Sequence, residues 1–121
     1  MFKIVFYRNT HGEQPIKNYL LELAAKKDKD SRIKLNKIQD YMGVLSNYGT
    51  RAGTPYVKHI DGEIWELRPL RDRFFFFCWQ GDSFVILHYF AKDTEKTPKR
   101  EIEQAKRNLN DFIERSSINE K

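Results

Sequence analysis

Hydrophobic positions along the chain begin in a strand-like pattern, turn helical, return to strand-like alternation and end helical. Phe2 to Arg8 is rich in β-branched and aromatic residues and predicts a first strand, closed by the loop residues Asn9-Thr10-His11-Gly12. Ile16, Tyr19, Leu20, Leu23 and Ala24 then recur at helical spacing, predicting a helix over about Glu13 to Lys27 with Pro15 in its first turn. Leu35, Ile38, Tyr41, Met42 and Leu45 form the stripe of a second helix over about Ser31 to Asn47, with Gly49 beyond its end. The two helices should form a hairpin.

After the Gly- and Pro-containing stretch Thr50 to Pro55, the period becomes alternating. Tyr56 to Ile60 and Ile64 to Arg68 flank the turn signal Asp61-Gly62, and Arg73 to Trp79 and Ser83 to Ala91 flank Gln80-Gly81-Asp82. A last helix is predicted from Pro98, with Thr97 as N-cap, Pro98 at its first position, and Ile102, Ala105, Leu109 and Phe112 as its stripe. The order strand, helix, helix, four strands, helix predicts an α+β fold: helices packed against one twisted, largely antiparallel sheet, with one sheet face left for function. A single domain over residues 1–115 fits this length, followed by a frayed polar tail over residues 116–121.

Charge changes the picture more than overall composition does. Twenty-two Lys and Arg against 17 Asp and Glu give a net charge of +5, which favours an anionic partner such as nucleic acid. The densest positive stretch joins the two predicted helices, where Lys26, Lys27, Lys29, Arg32, Lys34 and Lys37 meet only Asp28 and Asp30. It reads either as a solvated helical corner or as a set of phosphate contacts that position RNA without reading sequence. The lone cysteine, Cys78, cannot form an internal disulfide and falls in an apolar strand pattern, so it is expected to be a buried structural thiol. The short hydrophobic start matches no signal peptide and no apolar run reaches membrane-spanning length, so a soluble, cytoplasmic protein without membrane association is expected.

Candidate chemistry collects between Ile64 and Lys92. Alternation turns Glu66 and Arg68 away from Trp65 and Leu67, and sets Arg73, Phe75, Phe77 and Trp79 on one face of their strand. In the following strand it groups Phe84, Ile86, His88, Phe90 and Lys92. With strands in register, Arg68, Arg73, His88 and Lys92 border one surface. That set suits RNA cleavage without a metal, in which a ribose 2′-hydroxyl attacks the adjacent phosphate. Arg68 and Arg73 match phosphate oxygens with charged guanidinium forks, although Arg68 also has Glu66 nearby as an ordinary ion-pair partner. His59 or His88 suits proton transfer near neutral pH, and Lys92 would require a lowered pKa to act as a base. His88 lies among apolar residues, where a packed ring bonded to backbone is the first expectation. Lys58 and Lys96 offer further RNA contacts, and Tyr56, Tyr89 or Phe90 could stack on a base. Three separated histidines and one cysteine give no compact metal-ligand spacing, and no Gly-rich phosphate loop or nucleophile elbow is present, so neither metal nor cofactor is expected.

The ordered segments Gly62-Glu63-Ile64-Trp65-Glu66-Leu67-Arg68, Arg71-Asp72-Arg73-Phe74, His88-Tyr89-Phe90-Ala91-Lys92 and Lys96-Thr97-Pro98 through Glu101 and Ala105 resemble HigB-type toxins of the RelE superfamily, also described as phage-derived Gp49-like proteins. The resemblance covers about Tyr56 to Phe112. It implies a compact RelE-like fold and the toxin of a type II toxin-antitoxin system, a ribosome-dependent endoribonuclease that cuts mRNA in the A site of the 70S ribosome and arrests growth. It further implies a HigA-like helix-turn-helix antitoxin, with operator DNA bound only through the complex. Arg68 and Arg73 match the family's arginines, and Lys92 matches the first lysine of its Phe-x-Lys-Lys segment. Asp93 replaces the second, which weakens the cationic edge there. A non-catalytic RNA- or ribosome-binding module of phage origin is the alternative.

Overall fold

A computed structural model describes residues 1–119. The elements follow the predicted order: β1 (Lys3–Phe6), α1 (Pro15–Ala25), α2 (Lys29–Tyr48), a 3-10 turn (Gly49–Ala52), β2 (Val57–Asp61), β3 (Ile64–Leu67), β4 (Asp72–Trp79), β5 (Ser83–Ala91) and α3 (Lys99–Asn119). The strands form one five-stranded sheet in the order β1-β5-β4-β3-β2. Only the β1–β5 pair is parallel. The chain is thus an α+β protein with a mostly antiparallel open sheet, consistent with a RelE-like fold.

Local chemistry explains the helix boundaries. Asp28 caps α2 by accepting a 2.9 Å hydrogen bond from the Ser31 backbone N–H, which satisfies one of the free donors of the first turn. α2 stops at Gly49, whose φ is +63° and where an added Cβ would meet the Phe2 ring at 2.9 Å. Only glycine accommodates both the backbone and that close approach. α3 begins at Lys99, one residue after Pro98, with the Pro98 carbonyl accepting from the Glu101 N–H at 3.1 Å. Its start therefore lies later than a Thr97 N-cap and a Pro98 first position would set it. Helical bonding also continues to Asn119, through most of the expected polar tail. Residues 120–121 of that tail lie outside the described residues.

β4 lies in the middle of the sheet and is covered on both faces, which is why Phe74 to Phe77 read as an unbroken apolar run. Alternation sends Phe74 and Phe76 under the α1–α2 hairpin, into a core with Ile16, Leu23, Ile38, Leu45, Val57 and Leu67. Phe75 and Phe77 go to the opposite face, where they pack with Val85, Leu87, Ala105 and Leu109. Each buried phenyl contributes about 1.5–3 kcal/mol by leaving water. The expectation of one uncovered sheet face is therefore corrected. The apolar stripe of α3 needs burial as much as the hairpin does, and Phe112 meets Phe77 and Trp79 edge-on at 5.8 and 5.3 Å.

Two further expectations change. Cys78 is exposed rather than buried. Although it shares the strand parity of Phe74 and Phe76, it lies where the helical cover gives way to a cavity of about 960 Å³ that it lines with Phe2, Tyr48, Trp65 and Phe84. The second change is in β5. Phe76 pairs with Ile86 but Phe75 pairs with His88, so the register shifts by one and Leu87 is the extra residue of a β-bulge. Before the bulge, Phe84 and Ile86 face the hairpin. After it, Phe90 belongs to the α3-side cluster, so Phe84, Ile86, His88 and Phe90 do not share a face.

Candidate functional site

Cross-strand register assembles the site. Lys58 pairs with Glu66, Glu66 with Phe75, and Phe75 with His88, which sets one row of side chains across β2, β3, β4 and β5 on the α3 side. Arg73 pairs with Phe90 in the next row. Arg68 lies one residue past β3, continuing the register opposite Arg73, and its N–H is held by the Tyr56 carbonyl at 3.0 Å. α3 enters this face at His88 and runs towards Phe77 and Trp79, so the Arg68–Arg73 row lies beside its first turn.

The two guanidinium groups converge on one carboxylate. Glu66 is completely buried, with Oε1 3.4 Å from Arg68 Nε and 3.7 Å from Arg73 Nε. The Arg73 side chain is only 12% exposed, and its Nη1 donates to the carbonyls of Leu70 at 2.7 Å and Asp72 at 2.9 Å. Burial holds its pKa below the usual arginine value, opposed by the Glu66 carboxylate and reinforced by Arg68. The Arg68 side chain, at 27% exposure, is the more accessible of the pair.

His88 is half-buried and its Nε2 lies 3.1 Å from Glu101 Oε1, in the first turn of α3. Its partner is thus a side-chain carboxylate, not the backbone group expected for a packed ring. The ring is also stacked on Phe90, centroid to centroid at 6.2 Å. It lines a cavity of about 410 Å³ together with Tyr7, Asn9, Gln104 and Asn108. The Asn108 side chain donates to the carbonyl of the bulged Leu87 at 2.8 Å, which satisfies a group the ladder leaves open.

Other candidates are placed apart. His59 pairs with Trp65 on the hairpin side, and its Nε2 bonds the Gly62 carbonyl at 2.8 Å. Tyr56 packs edge-on against Tyr41 at 4.9 Å. Tyr89 stacks on Tyr19 at 4.6 Å, and burial raises the pKa of both rings. For Tyr19 the hydrogen bond it donates to Asp72 adds to the rise. Tyr56 and Tyr89 thus belong to the hairpin-side packing, whereas Phe90 belongs to the α3-side cluster. Lys29, Lys34 and Lys37 lie in the N-terminal part of α2, also on the hairpin side. Lys96 is exposed in the bend before α3.

Lys92 follows β5, with its N–H on the Arg71 carbonyl at 2.8 Å, and it continues the alternation of His88 and Phe90. Beside it, Asp93 forms an exposed 3.5 Å ion pair with Arg71. The departure from a double lysine therefore removes one cation and engages a second. None of Arg68, Arg73, His88 or Lys92 lines the 960 Å³ cavity. Among the described residues no group of three His, Cys, Asp or Glu could hold a metal ion. No described helix is long and apolar enough to cross a membrane.

The sequence marks Glu66 only as a possible partner of Arg68, and it marks Glu101 only within a family-like segment, without its pairing with His88. The first requires knowing that Arg68 and Arg73 share a register position, and the second requires the packing of α3 over β5. Comparison with known proteins adds the family. No curated protein matches the chain. Residues 18–110 match the family of phage-derived Gp49-like proteins (DUF891). The chain belongs to that family, which is a RelE/HigB-type, toxin-like group related to the toxins of toxin-antitoxin systems.

Proposed function

We propose that the protein is the toxin of a type II toxin-antitoxin system and cuts mRNA on the ribosome without a metal. The observation that carries this reading is the convergence of Arg68 and Arg73 on Glu66, at one end of a sheet in a Gp49-like chain. In the reaction, the ribose 2′-oxygen bonds to the adjacent phosphorus and the bond to the 5′-oxygen breaks. A base takes the 2′-hydroxyl proton and an acid protonates the departing 5′-oxygen. Charge growing on the phosphoryl oxygens falls to Arg68 and Arg73, whose fixed donors act where charge develops. Lys92 adds positive potential on the same side.

Proton transfer is assigned to His88 or Lys58, because register sets both on the arginine side and turns His59 to the other. Lys29, Lys34, Lys37 and Lys96 are assigned to RNA or ribosome contacts away from the chemistry. The partners in this reading are mRNA in the A site of the 70S ribosome and a HigA-like helix-turn-helix antitoxin, with operator DNA reached through the complex and action in the cytoplasm.

The test is induction of the chain alone, followed by primer extension of mRNA in a translating extract. Growth arrest with new 5′ ends at ribosome positions is the expected result. Arrest without new ends would overturn catalysis and favour a binding module that blocks translation by occupancy.

A further inference from the structure

Glu66 is costly if its only task is stability. It is 0% exposed, and both its carboxylate oxygens are buried without a hydrogen-bond partner. The contacts at 3.4 and 3.7 Å are ionic, and both arginine Nε groups are likewise buried without hydrogen bonds. Its register neighbour on β4 is Phe75, itself fully buried. An apolar residue here would avoid the desolvation of a carboxylate, and such replacements of buried ion pairs are often neutral or stabilising.

We propose that Glu66 is a positioning residue for the arginine pair, an inference that rests on Arg68 and Arg73 receiving the phosphate. Two guanidinium groups at facing positions repel each other. A carboxylate between their Nε edges keeps both on one side of the sheet, close enough to address a single phosphoryl group with the terminal nitrogens. Arg73 has a second restraint from the Leu70 and Asp72 carbonyls. Leu70 holds its carbonyl there with φ at +54°, a strained setting for a residue with a Cβ. Arg68 depends on Glu66 for its side-chain restraint, so removing the carboxylate releases Arg68 more than Arg73.

The experiment measures exchange of the arginine Nε–H protons by nitrogen-15 NMR, with Arg71, whose side chain is 75% exposed, as the internal reference. In the parent chain, Arg68 and Arg73 should exchange more slowly than Arg71. Glu66→Gln should bring Arg68 towards the rate of Arg71 while Arg73 stays slower, and cleavage in the translating extract should fall about tenfold or more at an unchanged fold. Glu66→Asp, which keeps the charge, should recover part of the loss. Parent Arg68 exchanging as fast as Arg71 overturns the proposal even if no variant folds. Full cleavage by Glu66→Gln, with Arg68→Ala and Arg73→Ala inactive, overturns the role of Glu66 and leaves the phosphate reading standing. Full cleavage by both arginine variants removes the phosphate reading, and the positioning role falls with it.

Discussion

The two faces of the sheet are built from the same alternating strands and are put to different uses. Under the α1–α2 hairpin, Phe74, Phe76, Phe84 and Ile86 meet Ile16, Leu23, Ile38 and Leu45, and the buried carboxylate there, Asp72, accepts a 2.6 Å hydrogen bond from Tyr19. Under α3, Phe75 and Phe77 give way towards one end to Glu66, Arg68, Arg73 and His88, with Glu66 buried and lacking hydrogen bonds. Among the described residues, no buried side-chain polar atom on the first face lacks a hydrogen bond. On the second, Glu66 and the Nε groups of Arg68 and Arg73 are buried without hydrogen bonds, a cost that the hairpin face does not carry.

If this contrast is right, the largest effect should come from the hairpin face and should concern folding alone. Phe76→Ala removes a fully buried ring and should cost about 3–5 kcal/mol in denaturant unfolding, with activity falling only as far as the folded fraction does. At the other face, Arg68→Ala or Arg73→Ala should slow cleavage about 100-fold or more by removing a preorganised donor, and should relieve growth arrest at equal abundance. Retention of full toxicity by both variants would break the comparison. Tyr19→Phe should destabilise by about 1.5–3 kcal/mol, because it leaves Asp72 buried without its hydroxyl donor, and should spare cleavage in the folded protein.

The smallest effect concerns a link between the layers. Tyr7 on the chain leaving β1 donates a 2.5 Å hydrogen bond to Asp111 of α3. Burial, followed by that bond, pushes its pKa from 10.0 up to about 12, while the same bond leads in holding Asp111 below the usual carboxylate range. The tyrosine contribution to stability is complete below pH 10.0 and is lost as pH rises towards about 12. The Asp111 contribution is present above the ordinary carboxylate pKa and disappears as pH falls through its lowered value. Tyr7→Phe should therefore flatten the decline in Tm between neutral and strongly alkaline pH. An identical alkaline decline in the variant would show that the link carries no such linkage.

The elements were legible because their periods are strong. Ser83–Ala91 was readable to the residue, since apolar β-formers fill it and turn residues precede it. The cover of the second sheet face was harder, because an amphipathic stripe such as that of α3 tells that a helix packs and not where. Of the site, Arg68 and Arg73 could be placed together because β3 and β4 pair with no register shift between them. His59 could not be set apart from them, since its orientation depends on which β3 residue it faces. The association of His88 with the arginines came from even alternation, but the structure reaches it through a bulge that sequence alternation does not contain.

The bulge at Leu87 also bears on how related chains are compared. Because Leu87 is the extra residue between Ile86 and His88, a relative of the same length that pairs without the bulge would carry the same ring on the opposite surface. Identity at a column is then a poor guide to equivalence. The informative quantity is the pairing with β4 and not the spacing along β5: here Ile86 and His88 are two residues apart and still face opposite surfaces. A conserved histidine in an unbulged strand would sit over the α1–α2 hairpin, and its proton could not be assigned to the chemistry proposed at the arginines.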